Sequence, residues 1–252
     1  MQPARFEING IRYYRTGDDP DAYLPSVTAI LGKTASEASK KALYTWNLNN
    51  PGGREAAAAR GTAIHAACEA YIRGQPIELP DEYLPYWRGL AKHLDKYDYF
   101  IWSEKPLRPE WKHCTSDEGI SRVWSHEYKY SGCPDLVGVR NGVTILADFK
   151  TSVGPYARYY PKEQDRSTFG GWVKFRKCAI QLAAYALALK ETLGITVNAA
   201  QILVSTPDTD QSFYLHGDDL ALYRCKWLQK VRQFYEIVEA EKEELGAEVV
   251  YA

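Results

Sequence analysis

The chain has 252 residues, enough to bury a sizeable core, and its 45% hydrophobic and 25% charged residues exclude the disordered and collagenous classes. A formal net charge of -1 excludes a uniformly basic coat for nucleic acid, so contact with a polyanion needs a local basic region or a bound cation. No run approaches the roughly 18 apolar residues of a membrane span, and no basic-then-apolar leader opens the chain.

One domain over 1-252 is expected, with a hairpin and mainly helical part over 1-100 and a sheet core with C-terminal helices over 101-252. FEINGIRYY alternates around Asn9-Gly10, a pair that tolerates positive φ, and predicts a hairpin. Residues 54 to 73 are good helix formers between Pro51-Gly52-Gly53 and Gly74-x-Pro76. Leu84, Trp87, Leu90, Leu94 and Tyr97 recur at helical spacing and predict a helix over 81 to 99.

From about 100 the pattern turns to strands, clearest over 134 to 140 and 143 to 150 on either side of Asn141-Gly142. Residues 172 to 193 return to helix and stop at Gly194, and AAQILVSTP reads as a strand. Leu220, Tyr223, Trp227, Val231, Phe234 and Val238 mark the apolar face of a last helix, with Asp218 and Asp219 favourable at its start. Helices, three strands, helix, strand, helix is an α/β order around a mixed sheet.

The Asn141-Gly142 hairpin concentrates chemistry. If that pair is a two-residue turn, Arg140 opposes Val143 and Asp135 opposes Asp148, as a non-hydrogen-bonded pair with Cα atoms about 4.5 Å apart. Lys150, two residues on, shares their face. Facing carboxylates among Leu136, Val137, Val139, Ile145, Leu146 and Phe149 repel each other, and a divalent cation removes the conflict. Hard oxygen ligands suit Mg²⁺ or Mn²⁺, which activates water and neutralises charge on a phosphodiester. Lys150 then positions or deprotonates that water, or stabilises developing charge. The plainer alternative is a surface hairpin with a solvated salt bridge.

His65, among Ala63, Ile64, Ala66 and Ala67, is either a metal ligand or a packed, hydrogen-bonded core histidine. Gln181 and Tyr185, at i and i+4 in an otherwise apolar helix, are core or orient Lys150 or nucleic acid. Between 150 and 178 lie Lys150, Arg158, Lys162, Arg166, Lys174, Arg176 and Lys177 against only Glu163 and Asp165. Tyr156, Tyr159, Tyr160, Phe169, Trp172 and Phe175 are interleaved, as in a single-strand channel or as in a solvated loop with inward aromatics. Cys68, Cys114, Cys133, Cys178 and Cys225 are scattered with no CxxC pair, which disfavours a disulfide framework and a thiolate metal site.

GTAIHAACE, GCPDLVG, ADFKTS and QLAAY, in this order over most of the chain, resemble the RecB-like branch of the PD-(D/E)XK nuclease superfamily. LPSVTAILG and the Gly-x-x-x-His helix are similar to the group around the mitochondrial genome maintenance exonuclease, with its phage and bacterial relatives. The resemblance implies a restriction-endonuclease-like αβββαβ core with a central mixed sheet flanked by helices. It implies metal ligation by His65, Asp135, Asp148 and the main-chain carbonyl of Phe149, a catalytic Lys150, and a QxxxY motif at Gln181 and Tyr185. Asp148 stands where many relatives carry Glu.

The implied activity is Mg²⁺- or Mn²⁺-dependent hydrolysis of DNA, from free ends of single strands, in replication, recombination or repair. A structure-selective endonuclease and a non-catalytic nucleic-acid-binding protein with a relict site are the alternatives. Without the cysteine triplet of related cluster-bearing nucleases, no iron–sulfur cluster is expected. Expected partners are single-stranded DNA and recombination or single-strand-binding proteins, with no membrane. With no transit peptide visible, the expected setting is the cytoplasm of a bacterium or phage-infected cell rather than the mitochondrial matrix. Arg158, Lys162, Arg166, Trp172, Lys174, Arg176 and Lys177 are the candidate DNA contacts, and whether Glu69, Glu104 or Glu127 joins the site stays open.

Overall fold

The computed structural model describes residues 3–17, 22–116, 119–162 and 168–245. The first hairpin forms around the residues whose chemistry demands it. β1 (Arg5–Ile8) and β2 (Ile11–Arg15) pair antiparallel, and Asn9 and Gly10 take φ of 52° and 74°, the left-handed values of a two-residue turn. β3 (Tyr23–Pro25) extends this small sheet, and α1 (Val27–Lys33) follows, its first turn capped by Ser26 Oγ accepting from the Ala29 amide.

α2 (Glu37–Asn49) buries none of its residues, and α3 (Gly53–Ile72) buries only Ile64, Ala67 and Cys68. The helix expected over 81 to 99 is shorter. Asp81–Tyr83 form one 3-10 turn, α4 runs Leu84–Leu94, and the chain then enters β4 (Tyr99–Ser103). The reason is tertiary pairing: the Asp98 amide bonds the Val139 carbonyl, and YFIW, rich in β-formers, follows as a strand.

β5 (Lys105–Pro106) pairs back on β4, and β6 (Val123–Ser125) and β7 (Tyr130–Gly132) form a separate two-stranded ribbon. β8 (Leu136–Arg140) and β9 (Val143–Thr151) form the second hairpin, with Asn141 and Gly142 at φ of 50° and 73°. Its register is the expected one, Arg140 opposite Val143 through Leu136 opposite Ala147. α5 (Phe169–Leu193) ends at Gly194, whose φ is 68°. It crosses to β10 (Ala199–Ser205), which lies parallel to β9, and β11 (Asp210–His216) and α6 (Gly217–Leu245) complete the chain.

The main sheet is mixed, six strands in the order β11-β10-β9-β8-β4-β5, with β9 central. Helices cover both faces. On one, Val137 and Leu146 pack with α5 and with the expected stripe of α6, where Trp227 and Phe234 are buried. On the other, Ala147 and Phe149 pack with Ile64 and Cys68 of α3 and Leu90 and Leu94 of α4. The period of two along β9 therefore sends Phe149 toward α3 and Asp148 toward α5. No described helix is long and apolar enough to cross a membrane.

Candidate active site

The site begins where a β-ladder stops. β8 ends at Leu136, so the amide and carbonyl of Phe149, which would continue the ladder on that side, have no strand to meet. Side chains replace it. The Phe149 amide donates to Asp135 Oδ2 at 2.8 Å, and the Phe149 carbonyl lies 3.2 Å from His65 Nε2 and 3.3 Å from Lys150 Nζ. The Pro134 carbonyl accepts instead from the Trp102 indole at 2.9 Å. A gap beside a central strand thus becomes a polar pocket.

On the α5 side, Asp148 is 1% exposed, with Oδ2 2.5 Å from Lys150 Nζ. Gln181 donates from Nε2 to Asp148 Oδ1 and to the Tyr185 hydroxyl, each at 3.2 Å. Gln181 and Tyr185 are buried, so this i, i+4 pair satisfies itself while fixing the carboxylate. Gly132 makes room for it: a β-carbon there would lie 2.4 Å from Tyr185 Cε1.

On the α3 side, His65 is not a packed core histidine. Its Nδ1 is 2.7 Å from Glu104 Oε1 and its Nε2 3.8 Å from Asp135 Oδ2, and it lines a 430 Å³ cleft with Gly61, Thr62, Ala66, Glu69 and Glu104. Glu104 sits at the tip between β4 and β5 with φ of 54°, held by its amide on the Asp135 carbonyl at 2.8 Å. Nothing in the local sequence marks it, because the turn is dictated by pairing across the sheet. Glu69 bonds Arg73 at 3.0 Å, and Glu127 is exposed in the turn between β6 and β7.

The ligand atoms of His65, Glu104 and Asp135 lie within 4.8 Å of one another, a group that could hold a metal ion. Two carboxylates, a neighbouring backbone carbonyl and one imidazole suit a hard or borderline divalent cation. The electrostatics point the same way. Burial opposes charge on His65, but Asp135 and the bonded Glu104 outweigh it and lift its pKa to about 9. Burial raises Asp148 to about 6 against the pull of Lys150, and raises Asp135 against the pull of His65 and Lys150. Burial works against the Lys150 charge, yet Asp148 and Asp135 hold its pKa well above the ordinary lysine value.

The basic segment divides. Arg158 donates to the Tyr214 carbonyl at 2.9 Å and pairs with Asp219, so it is engaged in the fold. Tyr156 and Phe175 are buried, whereas Tyr159, Tyr160 and Phe169 are exposed. Trp172 packs against Tyr160 and Phe169, with the Arg176 guanidinium 4.5 Å from its ring centre. Lys162 and Lys177 are exposed, Lys174 bonds Ser152 Oγ at 3.1 Å, and Arg166 lies outside the described residues.

No protein-family model matches the chain, and no curated protein matches it. Among solved structures, a "putative exonuclease" from Eubacterium rectale is similar at 13% identity and a TM-score of 0.37, over 74% of this chain and 68% of the other. The reading of the site rests on its own residues.

Proposed function

We propose that this chain is a Mg²⁺- or Mn²⁺-dependent deoxyribonuclease of the RecB-like PD-(D/E)XK type, acting from free ends of single-stranded DNA. One observation carries the reading: the His65, Glu104 and Asp135 ligand atoms cluster at the broken ladder beside Asp148 and Lys150. The ion would be held by His65 Nε2, Asp135, Asp148 and the Phe149 carbonyl, with Glu104 as a further ligand or as the acceptor that fixes His65 through Nδ1. When bound, it supplies an acidified water and neutralises charge on the phosphodiester.

The chain's own residues do the rest. Gln181 and Tyr185 hold Asp148 in one orientation. Lys150, 2.5 Å from Asp148, would orient the attacking water and offset charge on the phosphate oxygens. The αβββαβ order α3/α4, β4, β8, β9, α5, β10 supports this assignment of roles.

The test is end-labelled linear and circular single-stranded DNA incubated with Mg²⁺, Mn²⁺ or chelator. Metal-dependent loss of the linear strand alone supports an exonuclease. Equal cutting of circles makes it an endonuclease, and binding without cutting in any metal removes the catalytic reading.

A further inference from the structure

Two cations bracket the C-terminal end of β9 from the helices on its opposite faces. Arg60 lies on α3, five residues before His65, and Lys174 lies on α5, seven residues before Gln181. At 1.5 Å per residue those seven residues span about 10 Å. They lead from the Asp148 contact of Gln181 to Ser152, whose Oγ is 3.1 Å from Lys174 Nζ.

Among the described residues no carboxylate lies within 4.0 Å of either cation. The Arg60 guanidinium lies 4.7 Å over the Tyr86 ring, and its Nε is buried with no acceptor among the described residues. A buried donor left unsatisfied is costly, and an anion at this point relieves it. Ser205 joins the two: its Oγ donates to the Tyr86 carbonyl at 2.7 Å and its carbonyl accepts from the Ser152 amide at 2.9 Å, so the groups that hold Arg60 and Lys174 meet at one residue. Desolvation lowers the Lys174 pKa, Cys178 opposes that, and the Arg60 charge lowers it further. Beside Lys174 opens a 440 Å³ cleft lined by Gly154, Pro155, Tyr156, Gly170 and Gly171.

We propose that Arg60 and Lys174 together form a subsite for a backbone phosphate of single-stranded DNA, a few linkages from the bond at the Asp148–Lys150 centre. Its place beside a cleavage centre rests on the nuclease reading; the recognition of a phosphodiester does not. Charge complementarity selects the occupant, because two cations with no carboxylate partner among the described residues suit a polyanion.

The experiment is fluorescence anisotropy of a labelled single-stranded oligonucleotide in chelator, across a salt series, with melting curves for every variant. The double variant Arg60→Gln/Lys174→Ala is expected to reduce the slope of log affinity against log salt by about 0.7, the value of one neutralised single-strand phosphate, and each single variant by part of that. Lys190→Ala, at the far end of α5, is expected to leave the slope unchanged. Replacing linkages one at a time with uncharged methylphosphonate should reveal one position whose loss weakens the parent but not the double variant. A double variant that melts like the parent and keeps its slope overturns the subsite, as does a methylphosphonate profile identical in both. Altered slopes without cleavage in any metal would retain the subsite and remove the nuclease reading. Cleavage with unaltered slopes would do the reverse.

Discussion

Gly132 and Tyr185 approach so closely that a β-carbon at position 132 would stand 2.4 Å from Tyr185 Cε1. Tyr185 is 4% exposed, so a displaced ring must push against the core. Gly132→Ala is therefore expected to cost about 1–3 kcal/mol of stability, the usual range for overpacking. Displacing Tyr185 also disturbs Gln181, and through it Asp148. Urea unfolding should show the loss, and Tyr185→Leu in the same chain should recover part of it. A Gly132→Ala protein as stable as the parent would mean that the ring moves freely.

Asp135 has two tasks that substitution separates. Asp135→Ala leaves the buried Phe149 amide without its acceptor, an expected cost of about 1–3 kcal/mol. Asp135→Asn keeps an acceptor oxygen and should be closer to the parent in chelator. Both are expected to lose Mn²⁺ binding, read by titration calorimetry, and cleavage. If Asn bound Mn²⁺ as tightly as Asp, the carboxylate would not be a ligand.

Much of this was legible in advance, and the reasons differ by residue. Asn141-Gly142 fixes the hairpin register by local backbone chemistry, so Asp135, Asp148 and Lys150 could be placed by counting. The counting ran one pair too far: the ladder ends at Leu136 and Ala147, because Asp135 uses its side chain where a strand would use its backbone. Gln181 and Tyr185 were legible as a polar pair in an apolar helix, but their contact with Asp148 is tertiary. The pairing of Arg158 with Asp219 is not legible in the sequence, because the two lie far apart along the chain. α2 lacks a buried stripe, so no periodicity announces it.

Lys150 is expected to serve the chemistry rather than the metal. Lys150→Met removes the cation 2.5 Å from Asp148 and with it a competitor for that carboxylate. Mn²⁺ should bind at least as tightly as in the parent while cleavage falls at least a hundredfold, in line with the loss of one charge-stabilising group. Single-turnover rates and calorimetry on one preparation check both. Retained cleavage would remove Lys150 from the mechanism.

Stability should depend on pH in opposite ways with and without metal. His65 is raised from 6.5 to about 9 and Asp148 from 3.8 to about 6, so the metal-free folded state holds protons that the unfolded chain has released. The stability linked to Asp148 is present below pH 3.8 and lost as pH rises through about 6; that linked to His65 is present below 6.5 and lost through about 9. Melting temperature in chelator should fall from pH 5 to pH 9 more steeply than in His65→Gln. Because an ion displaces these protons, stabilisation by Mn²⁺ should grow over the same range. Stabilisation independent of pH would place the ion elsewhere.

Glu104 is the acidic residue to separate from Glu69 and Glu127. It lies 2.7 Å from His65 Nδ1, Glu69 bonds Arg73, and Glu127 is exposed in the turn between β6 and β7. Asp135 and Glu104 together hold the His65 pKa near 9 against burial, so removing one should lower it. In metal-free Glu104→Gln, imidazole NMR shifts should titrate below the parent's midpoint, and Mn²⁺ affinity should fall at least tenfold, as for loss of a ligand or of a ligand's hydrogen-bond partner. Glu127→Gln should leave both quantities unchanged. Glu69→Gln, on the cleft wall but engaged with Arg73, should leave the His65 titration in place. A parent-like His65 midpoint in Glu104→Gln would show that the carboxylate does not act through the imidazole, and unchanged Mn²⁺ affinity in the same protein would remove Glu104 from the metal centre.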